Sequence, residues 1–159
     1  MSSPRDPPRL AEAAGGPKVQ GGWQQAHLSV PHDIAPLLDT VTGLMTGLCF
    51  PDKDVFGVRL ALEEALVNSL KHGHRYDPTK RVLVRYKVVH ECALVEVEDQ
   101  GPGFDPRQVP DPTDPANLER PCGRGLLLMR AYASWVRHNQ RGNCVTLCKY
   151  PSAPPAAGA

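Results

Sequence analysis

Glu64, Asn68 and His72 follow one another at four-residue steps inside the stretch EEALVNSLKHGH, which runs from Glu63 to His74. Four residues is slightly more than one helical turn, so on a helix the other two side chains fall within about 80° of Glu64. They then present a carboxylate, a carboxamide and an imidazole in a row, groups that can hold a hard cation and exchange protons. Glu63 lies about 100° from Glu64 and points away from the row, to solvent or to its rim. Taken alone, the same stripe is also what a solvated helix face looks like.

Asp99 closes the alternating run CALVEVED, and the alternation places it on the core side behind Ala93, Val95 and Val97. An ionised carboxylate there is costly unless it is hydrogen-bonded. At the mouth of an apolar pocket it could accept a hydrogen bond from an amino group such as that of adenine. The competing possibility is a turn acid that bonds its own loop. Gly101 and Gly103, in DQGPGF, follow at once and allow a sharp turn and a close approach. Gly123 and Gly125, in CGRGLLLM, stand at the start of a helical pattern, where free backbone N–H groups and the helix dipole make an anion site. A G-x-G-x-x-G dinucleotide fingerprint is ruled out, because Leu128 holds its third position and no strand leads directly into the loop.

The elements that must position these residues follow from periodicity. A strand-like run from Trp23 to Val30 precedes a helix opened by Pro31 and Asp33, with apolar residues at Ile34, Leu37, Leu38, Val41, Leu44 and Leu48. Asp52 or Asp54 is placed to cap the next helix, which runs to about Lys71 and is closed by Gly73. Val55, Val58, Leu62, Ala65, Leu66 and Leu70 form its packing arc. RVLVRYKVV and CALVEVED alternate cleanly and predict an antiparallel hairpin turning at His90 and Glu91. One of its faces carries Val82, Val84, Tyr86 and Val88 with Ala93, Val95, Val97 and Asp99. The other sets Arg85 and Lys87 against Glu96 and Glu98, as a solvated face would. A proline-rich segment from Asp105 to Pro121 has no periodicity and reads as a lid or an insert. A helix in GRGLLLMRAYAS and a second hairpin around Arg141 and Gly142 complete the pattern. The order predicts a two-layer α/β (α+β) sandwich whose mixed, mostly antiparallel sheet has helices on one face.

At 159 residues the chain has room for one domain with a real core. That domain is placed at 23–150, between Pro/Gly/Ala-rich ends at 1–22 and 151–159 that are expected to be disordered. A formal net charge of +1 with interspersed signs supplies no footprint for nucleic acid or an anionic membrane. No apolar run is long enough to span a bilayer, and the N-terminus lacks a signal-peptide core, so a cytoplasmic location is expected. Five cysteines without a C-x-x-C pair suggest neither a disulfide framework nor a zinc site.

Taken in order, with a lid between the second and third, the three segments resemble the GHKL ATP-binding superfamily. EALVNSLKH matches its N box, DQGPGF its first glycine box and GRGL its second, and the likeness spans about Trp23 to Tyr150. Within that superfamily the chain is most similar to the anti-sigma factor serine kinases, which share its length and its ERP-x-GRGL-like segment.

The resemblance implies ATP and Mg2+ as cofactors and a Bergerat-type ATP-binding fold. It implies that Asn68 offers its carbonyl oxygen to magnesium and that Glu64 takes the proton of an attacking hydroxyl. Asp99 would hold the adenine amino group, with Gly101 and Gly103 beneath the base. Gly123, Gly125 and the backbone continuing at Leu126 would bind phosphates, and Arg120 and Arg124 would meet γ-phosphate charge. His72 matches the N-box histidine and would anchor the helix end by hydrogen bonding. Where the family often has Gly-Thr before its last strand, this sequence has Gly142-Asn143, so Asn143 is left as a substitute polar partner.

The function implied is a serine/threonine protein kinase that phosphorylates a STAS-domain anti-anti-sigma factor and sequesters a sigma factor. The rival is a non-catalytic module in which ATP only orders the lid and switches partners. The resemblance also implies a homodimer, for which the edge strand from Trp23 to Val30 is an exposed pairing surface.

Overall fold

The computed structural model describes residues 22–103 and 124–152. Among the described residues five strands and three α-helices follow one another: β1 (Gln24–Leu28), α1 (Ile34–Gly47), α2 (Asp52–Asn68), β2 (Val82–Val89), β3 (Cys92–Glu98), α3 (Arg124–Tyr132), β4 (Trp135–His138) and β5 (Cys144–Lys149). The strands form one sheet in the order β1-β2-β3-β5-β4, and every pairing is antiparallel. The expected α+β layering therefore holds, and the mostly antiparallel sheet expected is antiparallel in every described pairing. The proline-rich segment from Asp105 to Pro121, and the two chain ends beyond 22–152, lie outside the described residues.

Strand alternation fixes the register of the central hairpin. Val84 lies opposite Val97, Tyr86 opposite Val95 and Val88 opposite Ala93. On β5, Val145 and Leu147 extend the same face, opposite Val97 and Val95. With the exception of Val88, which is partly buried and packs against them, these residues join Leu37, Leu38, Val41 and Met45 of α1, Val58, Leu62 and Leu66 of α2, and Leu126 and Met129 of α3 in one core cluster. Complete burial of a Leu or Val side chain contributes about 1.5–3 kcal/mol, so this layer carries most of what holds the domain together.

The opposite face of the hairpin pairs Arg85 with Glu96 and sets Glu98 3.7 Å from the same guanidinium. Toward β4 this face is not wet: Leu94, Thr146 and Cys148 are buried there. Trp135 stands opposite Cys148 in the register, and its indole N–H donates to Tyr150 Oη at 3.2 Å.

Asp33 precedes α1 as expected, and its carboxylate accepts the N–H groups of Ser29 and Val30. Neither Asp52 nor Asp54 caps α2, whose N-cap is Pro51. Asp54 is instead buried, at 2% exposure, and accepts both the N–H and the hydroxyl of Ser152 at 2.7 and 2.6 Å. Ser152, which composition assigns to the tail, is thus tied to the first turn of α2. At its other end α2 does not stop at Lys71. It widens after Asn68 into a π-helical turn, Ser69–Gly73, and its chain reverses through Arg75 and Tyr76, both at positive φ.

Candidate functional site

Of the three-residue row expected on this helical run, Glu64 and Asn68 share a flank of α2, whereas His72 falls in the π turn and is exposed. Ala61, Leu62, Ala65 and Leu66 are buried, Glu63 is exposed, and Glu64 and Asn68 are half-buried on the flank between. What they face is the start of α3. A β-carbon on Gly125 would lie 2.8 Å from Asn68 Nδ2 and 2.8 Å from Glu64 Oε2. Both side chains therefore reach the same point of the α3 backbone, one residue into the helix, where N–H groups have no partner within the helix. Glycine at 125 lets α3 come this close. Leu126, the next residue, is buried in the core and fixes the rotation of the helix. Arg124 opens α3, while Gly123 and Arg120 lie outside the described residues.

The second half of the site is built where β3 ends. The Asp99 N–H donates to the Asn143 carbonyl at 2.8 Å, and the Asn143 carboxamide donates back to the Asp99 carbonyl at 2.9 Å. Asn143 therefore serves as a clamp on the Asp99 backbone. Asp99 Oδ1 accepts the Gly101 N–H at 2.7 Å, and no described residue donates to Oδ2. Burial pushes the Asp99 carboxyl above its ordinary value of 3.8, against the opposing pull of the Gly101 N–H, His74, Arg141 and Lys80.

Three glycines make this turn possible. A β-carbon on Gly73 would sit 2.6 Å from Asp99 Cγ, and one on Gly101 would sit 2.3 Å from the Gly73 carbonyl oxygen. Gly103 has φ +79°, and a β-carbon there would meet the Arg141 carbonyl oxygen at 1.8 Å. Gly73 reads in the sequence as a helix stop. In the fold it is the contact through which the end of the helical run meets the Asp99 turn.

The histidine that anchors the helix end is not His72, which is exposed. It is His74, at 2% exposure, whose Nε2 accepts the Gln100 N–H at 2.7 Å. The resemblance gave this role to His72; the π turn breaks the 3.6-residue periodicity that set His72 in the row with Glu64 and Asn68, and turns it to solvent. The HGH sequence could have flagged His74 only as one of two alternatives.

Glu64, Asn68 and Gly125 thus form one cluster, and Asp99, Gly101 and Gly103 a second. The helical run from Asn68 through Gly73 connects them.

The model of the histidine kinase-like ATPase domain matches residues 29–149. Among individual proteins, the chain is 28% identical over 113 residues to the serine-protein kinase RsbW of Bacillus licheniformis, covering 67% of this chain and 71% of that one. It is 27% identical over 127 residues to the serine-protein kinase RsbW of Bacillus subtilis (strain 168), covering 76% and 79%. To the protein of the same name from Listeria monocytogenes it is 26% identical over 118 residues, covering 70% and 75%.

Proposed function

The chain belongs to the histidine kinase-like ATPase domain family, and from that premise we propose that it is an ATP-dependent protein serine/threonine kinase. Its proposed substrate is a STAS-domain anti-anti-sigma protein, and it binds a sigma factor as its second partner. The relatives named serine-protein kinase support the reaction class.

The observation that carries the reading is the convergence of Glu64 and Asn68 on Gly125 at the start of α3. Glu64 offers a carboxylate oxygen at this point, and Asn68 a carboxamide whose Nδ2 is the atom nearest Gly125 and whose Oδ1 is its one hard oxygen; with backbone N–H groups suited to phosphate alongside, this donor set fits Mg-ATP. Asn68 would hold the magnesium ion, which supplies charge compensation for the phosphates when bound. Asp99 would accept the adenine amino group through Oδ2, in a turn whose glycines leave no β-carbon beneath the base.

In the transfer, the acceptor hydroxyl oxygen forms a bond to the γ-phosphorus as the bond from that phosphorus to the ADP oxygen breaks. Glu64 takes the hydroxyl proton. Phosphoryl transfer asks chiefly for positioning and charge stabilisation, so one general base and a phosphate cradle suffice.

Incubation with labelled ATP, magnesium and candidate STAS proteins tests the proposal. Label should pass to a serine or threonine of the partner and stop when magnesium is chelated. Tight ATP binding with no transfer to any partner would instead establish the non-catalytic switch. The absence of ATP binding would reject both.

A further inference from the structure

His74 has no part in the binding or transfer roles proposed above, yet it is as deeply buried as the core leucines. Its Nε2 accepts the Gln100 N–H, so the neutral ring must carry its proton on Nδ1. That Nδ1 is buried and has no hydrogen-bond partner among the described residues. We propose that His74 is a positioning residue for the nucleotide pocket, holding the Asp99–Gly103 turn through the Gln100 amide only while its imidazole is neutral. The proposal rests on the nucleotide reading of Asp99.

The contacts form a closed loop. Gln100 precedes Gly101, whose N–H sets the Asp99 carboxylate. Gly101 in turn lies against the carbonyl of Gly73, the residue before His74. A proton on Nε2 would oppose the Gln100 N–H with a second donor, and the turn that carries Asp99 would lose its strut. The charged groups acting on the ring are Asp99 from the end of β3 and Asp77 and Lys80 from the loop after the π turn. Arg141, from the turn between β4 and β5, bonds the Gly101 carbonyl at 3.3 Å and acts on Asp99.

Burial holds the ring below its ordinary value of 6.5, with Asp99 opposing. The strut is therefore complete above pH 6.5 and is lost as the pH falls through the lowered value.

His74→Gln keeps an acceptor at the same reach but cannot take up a proton, and His74→Leu removes the acceptor. ADP affinity is measured by calorimetry from pH 8 to 5.5. At pH 7.5, His74→Leu should bind about tenfold more weakly and His74→Gln within about threefold of the native chain. On acidification the native chain should lose affinity relative to His74→Gln, a ratio from which protonation of the nucleotide itself cancels. Parallel pH profiles, or undiminished affinity in His74→Leu, would overturn the proposal. Should His74→Leu fail to fold, the comparison with His74→Gln decides alone.

Amide exchange at Gln100 in the nucleotide-free chain separates this inference from the nucleotide reading. Its protection should fall with pH in the native chain and stay constant in His74→Gln. If ADP binds neither protein, the nucleotide assignment fails while the exchange data still decide the strut. Constant protection in the native chain would reject the strut whatever the nucleotide result.

Discussion

The carboxylate of Asp99 rests on the α-carbon of Gly73, so closely that a β-carbon there would lie 2.6 Å from Cγ and 2.7 and 2.8 Å from the two carboxylate oxygens. Twenty-six residues separate the two in sequence. Their contact joins the helical run bearing Glu64 and Asn68 to the turn bearing Asp99.

Gly73→Ala should therefore displace the Asp99 side chain and weaken ATP about tenfold, with a stability loss of about 1–3 kcal/mol. Gly101→Ala should cost more stability, because its β-carbon meets the Gly73 carbonyl at 2.3 Å and a backbone cannot swing aside as a side chain can. Thermal unfolding of the two variants checks the order, and a reversed order would contradict the packing described.

Asp99→Asn should separate stability from binding. Burial raises the Asp99 carboxyl above 3.8, so its favourable contribution is present below that pH and is lost as the pH rises through the folded value. At pH 7 the ionised group is a burden on the nucleotide-free fold. The Asn variant should then melt no lower than the native chain at pH 7, while binding ATP about tenfold more weakly or worse. Calorimetry and melting curves on the same samples would expose a variant that fails in both.

Glu64→Gln keeps size and hydrogen bonding and removes basicity. Transfer to the partner protein should slow about 10²- to 10⁴-fold with little change in nucleotide affinity. Glu63→Gln is the control, since Glu63 is exposed and faces away. Single-turnover rates decide: a slow Glu63 variant beside a normal Glu64 variant would make Glu63 the base and leave Glu64 without that role.

Asp54→Ala should cost about 2–3 kcal/mol at neutral pH, because it strips two hydrogen bonds from Ser152 and leaves Lys149, 3.7 Å away, without its buried partner. Burial alone would raise the Asp54 carboxyl, but the Ser152 hydrogen bonds and the charges of Lys149 and Lys53 hold it below 3.8. Its stabilisation is thus present above that pH and is lost as the pH falls through the lowered value. Denaturant titrations should show the deficit of the variant shrinking in acid. A deficit equally large at pH 2.5 would place its origin elsewhere.

The sequence alone determined whatever depends on a local period. Alternation put Val84 and Tyr86 on one face with Val95 and Val97, and the helical wheel put Glu64 and Asn68 on one flank with Glu63 outside. Both follow because a strand repeats every two residues and an α-helix every 3.6. Tertiary structure decided what depends on departures from those periods and on contacts between distant segments. The π turn after Asn68 left His72 in solvent and buried His74, and no wheel drawn at 100° per residue foresees that widening. Gly73 became the seat of the Asp99 carboxylate, Asp54 the anchor of Ser152, and Gly125 the meeting point of Glu64 and Asn68. In each pair the residue types were visible in the chain, but only packing of the helices against the sheet sets the distance between them.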